Sequence, residues 1–150
     1  MLDPDIKTLC ERIIAECLKT LSLGTGVVSH IENGTYQLVA VESDRYHFSP
    51  GDIFSLKNSY CREVLDSGQT IGLINLRGEL NLCKHPLYEG LPLDTYIGTP
   101  IYKNGNAWGT LNFSSMLKRP HPFTAEEIRF IEAEAAQISR ALSSQSNTVY

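Results

Sequence analysis

The sequence predicts an α+β fold: an antiparallel central sheet of five or six strands, helices from both ends of the chain on one face, and a loop-covered pocket on the other. Three observations carry that prediction. Two Asn-Gly dipeptides, Asn33-Gly34 and Asn104-Gly105, each stand between β-like runs, and Asn-Gly best tolerates the two positive φ angles of a type I′ hairpin turn. Apolar residues near both ends recur at the three-and-four spacing of one helical face. The segment 75–93 is long and irregular, with Pro86, Gly90 and Pro92; inside a compact domain such a loop is usually a lid over a site or a poorly packed connection.

Each element has a local reason. From residue 5 to 21, Ile6, Leu9, Cys10, Ile13, Ile14, Cys17, Leu18 and Leu21 fall on one helical face. Gly24 and Gly26 end that pattern, and residues 27–32 and 35–42 form the first two strands around Asn33-Gly34. Residues 43–57, with Pro50-Gly51, read as a loop crossing one end of the sheet. Asn58 or Ser59 can cap a short helix through Asp66 that Gly68 closes. Residues 70–73 make a short apolar strand, and 96–103 and 106–115 form the arms of the second hairpin.

In the last of these strands Ala107, Gly109, Leu111 and Phe113 alternate with Trp108, Thr110, Asn112 and Ser114. One face is therefore small and apolar, and the other carries an indole, hydroxyls and an amide. With the apolar face under the terminal helices, Trp108, Thr110 and Asn112 are expected to point to the opposite side, beneath 75–93, where they would line a pocket. Thr124 with Glu127 forms a capping box that Phe123 can staple, opening a final helix that runs to about residue 143. Its apolar residues Ile128, Ile131, Ala135, Ile138 and Leu142 make a narrow seam of the kind that pairs helices. That seam offers a surface for a homodimer, or alternatively packs within the chain.

Composition narrows the function. The 150 residues, 42% hydrophobic and 20% charged, suit one domain with its own core, spanning about residues 6–142 and followed by a frayed tail at 143–150. A net charge of −4 and thirteen scattered Lys and Arg leave no basic footprint for nucleic acid. No apolar run approaches the roughly 20 residues of a membrane span, and the first residues lack the features of a secretory signal, so a cytoplasmic location is expected. Of the four cysteines, Cys10 and Cys17 read as small buried hydrophobes on a helix face. Cys83 with His85 lacks the second pair that a zinc site needs, so no metal is expected. No nucleophile elbow, phosphate-cradling loop or H-E-x-x-H pair appears, and no catalytic residue is assigned.

The motifs LGTGVVSHIENGTY at 23–36, SYCREVLDSGQTIGL at 59–73, HPLYEGLPLDTYIGTPI at 85–101, and WGTLNFSS followed by PFTAEEIRF at 108–130 together resemble a GAF domain. This family supplies small-molecule sensing modules to bacterial signalling proteins, and the chain is most similar to those attached to sensor histidine kinases and diguanylate cyclases. The resemblance implies a ligand between the sheet and the segments 43–66 and 75–93. The residues at matching positions are Tyr60, His85, Tyr88, Tyr96, Trp108, Thr110 and Asn112. Each also has a structural reading: Tyr60 and Tyr96 as aromatic core, His85 as a lid-stabilising group, Trp108 as a cover on the sheet.

The same resemblance implies a sensor, not an enzyme, that binds an unidentified small molecule. Its terminal helices would act on an output kinase or cyclase domain or on a partner protein, and would form a homodimer. The alternative is a dimerisation or regulatory module that binds nothing. Family members that attach a linear tetrapyrrole use a cysteine usually followed directly by histidine, whereas this chain has Cys83-Lys84-His85. Those that reduce free methionine sulfoxide use several cysteines, and the surroundings of Cys61 and Cys83 do not match their signature. The residues do not name a cofactor.

Overall fold

The structure is a computed structural model and describes residues 2–43, 49–55, 60–76 and 93–146. The chain runs α1 (Pro4–Leu21), β1 (Thr25–Glu32), β2 (Thr35–Ser43), β3 (Ile53–Ser55), α2 (Tyr60–Ser67), β4 (Ile71–Leu73), β5 (Thr95–Lys103), β6 (Asn106–Ser115) and α3 (Ala125–Ser146). The strands form one six-stranded sheet in the order β3-β2-β1-β6-β5-β4, with every described pairing antiparallel. Both hairpins turn where the sequence places them: Asn33 and Gly34 have φ 52° and 75°, Asn104 and Gly105 φ 52° and 81°. β3 is an addition to the expectation, which made 43–57 a loop. It is a three-residue edge strand held by pairing with residues 35–37 of β2, too short to show a period.

Local chemistry fixes the helix ends. Asp3 caps α1 by accepting from the Asp5 N–H at 2.8 Å, and Ser22 closes it in the left-handed region. At α3 the capping box forms in full: Thr124 N–H donates to Glu127 Oε1 at 2.8 Å, and Glu127 N–H to Thr124 Oγ1 at 3.1 Å. Arg119 joins the two helices, donating to the Leu21 carbonyl that ends α1 and to the Glu127 carboxylate that begins α3, while its guanidinium lies 4.3 Å from the centre of the Phe123 ring.

Two cores result, one on each face of the sheet. α1 and α3 cover one face, where Cys10, Ile13, Ile14, Ile131, Ala135, Ile138 and Leu142 meet Val28, Ala40, Ile97, Ile101, Leu111 and Phe113. The α3 seam is therefore spent inside the chain: Ile131 and Ile138 are 0% exposed and pack on the sheet and α1. A homodimer through the terminal helices would have to use other side chains. On the opposite face α2 brings Tyr60, Cys61 and Val64 onto Val27, Tyr36, Leu38 and Tyr96.

Candidate functional site

β1 and β6 lie at the centre of the sheet, and their close approach needs a glycine. A Cβ at Gly109 would come within 1.8 Å of the Ser29 carbonyl oxygen, so only glycine lets β6 run beside β1 there. That pairing sets Ser29 directly opposite Thr110. Their hydroxyl oxygens are 2.7 Å apart, and the Thr110 N–H also donates to Ser29 Oγ at 3.3 Å. Two residues on, Asn112 Nδ2 donates to the Tyr36 hydroxyl at 3.0 Å and to Thr110 Oγ1 at 3.2 Å.

Cys61, on the underside of α2, closes the group. Its sulfur lies 3.5 Å from Thr110 Oγ1, 3.6 Å from Asn112 Nδ2 and 3.5 Å from the Tyr96 hydroxyl. The Tyr96 ring lies back across Gly98, where a side chain would collide with its hydroxyl, and meets the Tyr60 ring at 5.0 Å between centres. Ser29, Tyr36, Cys61, Tyr96, Thr110 and Asn112 are all 0% exposed.

Every member of this cluster is held uncharged. Burial pushes the Cys61 thiol up, against the lowering effect of hydrogen bonds with Thr110, Tyr96 and Tyr36. Burial likewise drives the Tyr36 and Tyr96 phenols well above their usual range, with the neighbouring Cys61 adding to the shift. A thiol held protonated in this way is a weak nucleophile. What the arrangement offers is a set of neutral donors and acceptors in a dry setting, where each bond is stronger than in water and each unpaired group costs more.

The structure sorts the candidate residues. Thr110 and Asn112 face away from the terminal helices, as expected, and Tyr60 and Tyr96 join them. Trp108 does not. Ile101 pairs with Gly109 and Tyr102 with Ala107, which leaves Trp108 as an extra residue in β6. Such a bulge breaks the alternation and turns the indole to the helix-bearing face. There it packs against the α1/α3 core and stacks on His30, with ring centres 4.5 Å apart. His85 and Tyr88, and with them Cys83 and most of the expected lid, lie outside the described residues.

Three members of the cluster, Ser29, Tyr36 and Cys61, were not among the candidates. Ser29 and Tyr36 carried a usable signal, since they stand two residues from Val27, Ile31 and Leu38 and so share their side of β1 and β2. Cys61 adjoins Tyr60 on the short helix, but the sequence weighs it only with Cys83 as a reactive thiol and not as part of a polar cluster.

A family model for the GAF domain matches residues 5–142, and the chain belongs to the GAF family. Solved structures with this fold include the GAF domain of PixJ from Thermosynechococcus elongatus in its blue-light-absorbing form (TM-score 0.75, 14% identity, 95% of this chain and 87% of that one). A GAF domain from an Acinetobacter phosphoenolpyruvate-protein phosphotransferase is similar (TM-score 0.73, 15% identity, 97% and 94%). So is that of a two-component sensor histidine kinase from Bacillus halodurans (TM-score 0.67, 18% identity, 90% and 94%). None of the curated proteins matches the sequence. Among the described residues no helix is long and apolar enough to cross a membrane.

Proposed function

We propose that this GAF domain is the cytoplasmic sensing module of a signal-transduction protein. It would bind a small, uncharged, hydrogen-bonding molecule on the α2 face of the sheet and act through α1 and α3 on an output kinase or cyclase domain or on a partner protein. One observation carries the reading. A neutral polar cluster on β1, β2, β5 and β6 is covered, among the described residues, by the short helix α2, on the face opposite α1 and α3. A ligand that competes for these donors and acceptors must move α2. It biases an output only if it binds the two arrangements of the domain with different affinity. Among the described residues the cluster holds only neutral side chains, which favours an uncharged ligand.

A second reading rests on the same groups. The cluster's members already satisfy one another at full burial, which suits a regulatory module that binds nothing. Native mass spectrometry of the purified protein, with visible absorbance and a thermal-shift screen of neutral metabolites, separates the two. The sensor reading expects bound mass or a stabilising metabolite, lost in Asn112→Leu. An unliganded mass in every preparation and a flat screen would leave the module that binds nothing.

A further inference from the structure

The cluster and the helices lie on opposite faces of the sheet, so a signal between them has to cross it or go around its edge. The edge route is built from short connections. Ser67 ends α2, and Gly68 turns back on it with φ 67°, its N–H donating to the Val64 carbonyl at 2.9 Å. The Ser67 hydroxyl also donates to that carbonyl at 3.3 Å and accepts from the Gln69 N–H at 3.2 Å. Val64 is fully buried beside Cys61 in the α2 core. The turn is thus tied to the helix at both of its hydroxyl and backbone positions, and displacement of α2 carries Thr70 with it.

Thr70 reaches the other face. Its hydroxyl lies 2.6 Å from Glu132 Oε2 of α3 and 2.9 Å from Thr99 Oγ1 of β5. A carboxylate only accepts, so the Thr70 proton goes to Glu132. Glu132 belongs to a polar ridge on α3. Seven and eleven residues further on, Ser139 and Ser143 accept the N–H groups of Tyr102 and Asn104 at 2.9 Å each. Both donors belong to the stretch of β5 and its turn that lies beyond the pairing with β4, which covers only residues 96–98.

The two ridges of α3 therefore hold it in different ways. The hydrocarbon ridge supplies non-directional attraction that tolerates a small slide. The polar ridge is directional and fixes register. Beside it is room to move: a hollow of about 380 Å³ bordered by Gly68, Thr70, Pro100, Tyr102, Glu132 and Ser139.

We infer that the Thr70–Glu132 hydrogen bond is the joint through which the position of α2 over the buried cluster sets the register of α3 on the opposite face. The inference rests on the sensor reading for its purpose, yet its test needs no ligand. Hydrogen exchange followed by mass spectrometry on the full chain compares the parent, Cys61→Met, Thr70→Val and the double variant. Methionine at 61 overfills a fully buried site and lifts α2.

The expected result for Cys61→Met is faster exchange in α2 and, by about fivefold or more, in α3 around residues 132–143. In the double variant the α2 change persists and the α3 change is lost. An α3 response that is equal with and without the Thr70 hydroxyl, or absent while α2 responds, overturns the joint. If circular dichroism shows Cys61→Met unfolded, Cys61→Ala loosens α2 by leaving a cavity, and the same comparison decides. Failure here leaves ligand binding intact, and an empty pocket by mass spectrometry leaves the joint intact.

Discussion

The two faces of the sheet are built from neighbouring residues with opposite chemistry. Leu111 and Phe113 enter a hydrocarbon core shared with α1 and α3, while Thr110 and Asn112, one step away along β6, enter a network of hydroxyls, an amide and a thiol under α2. The hydrocarbon face gains from area alone and accepts any close-packed arrangement. The polar face gains only when each donor meets its acceptor, so it specifies one arrangement and is sensitive to any molecule that offers better partners. Stability resides mainly in the first face and specificity in the second.

Removing one side chain from each face tests that division, and here the largest effect is expected. Phe113→Ala should lower unfolding free energy by about 3–5 kcal/mol through lost burial and a cavity, as measured by urea denaturation. Thr110→Val, nearly the same shape, should cost about 1–3 kcal/mol by leaving Ser29, Asn112 and Cys61 short of a partner. Thr110→Val and Cys61→Ser should be non-additive by more than about 0.5 kcal/mol, whereas Thr110→Val and Ile138→Ala, on opposite faces, should add. Equal costs for Phe113→Ala and Thr110→Val would erase the contrast.

What the sequence disclosed follows the same division. The helices, the hairpins and the hydrocarbon core were legible because a period of 3.6 or 2 is visible wherever apolar residues line one face. The capping box at Thr124 was legible because both partners are local. Spacing could not say what the Ile131, Ala135, Ile138 and Leu142 seam meets, since an intrachain neighbour and a second copy ask for the same pattern. Half of the polar cluster escaped because its members come from β1, β2 and α2, and only the folded sheet brings Ser29, Tyr36 and Cys61 together. Strict alternation misplaced Trp108, although Gly109 beside it was a hint, since a glycine inside a strand often marks a bulge or a close backbone approach.

A smaller effect separates two carboxylates on α3 by pH. Burial raises the Glu127 carboxyl, but the Thr124 N–H and the Arg119 guanidinium outweigh it and hold the group below its ordinary value. Its contribution is therefore present above the unfolded carboxyl value of about 4.3 and is lost as pH falls through the folded one. Glu134 is the reverse: burial and then Glu16 raise it, with Arg12 opposing, so stability is present below the unfolded value and lost as pH rises through the folded one. Glu127→Gln should cost about 1 kcal/mol at pH 7 and less in acid. Glu134→Gln should stabilise at pH 7 and have no effect in acid. Urea melts across pH 3–7 that show the same sign for both variants would contradict this assignment.

The smallest effect concerns the residue that the bulge moved. His30 Nδ1 lies 2.9 Å from the Trp108 carbonyl oxygen and Nε2 lies 3.2 Å from Glu32 Oε2. The imidazole is thus held between two acceptors and stacked on the indole. Trp108 is the single tryptophan, and its emission therefore reports the surroundings of this one indole. His30→Gln removes the ring stacked on the indole and should change the emission, while Cys61→Ser on the other face should leave it unchanged. The stability cost of His30→Gln should be about 0.5 kcal/mol, because Glu32 is exposed. The opposite pattern, an emission that responds to Cys61→Ser and ignores His30→Gln, would put the indole back on the α2 face and restore the unbroken alternation of β6.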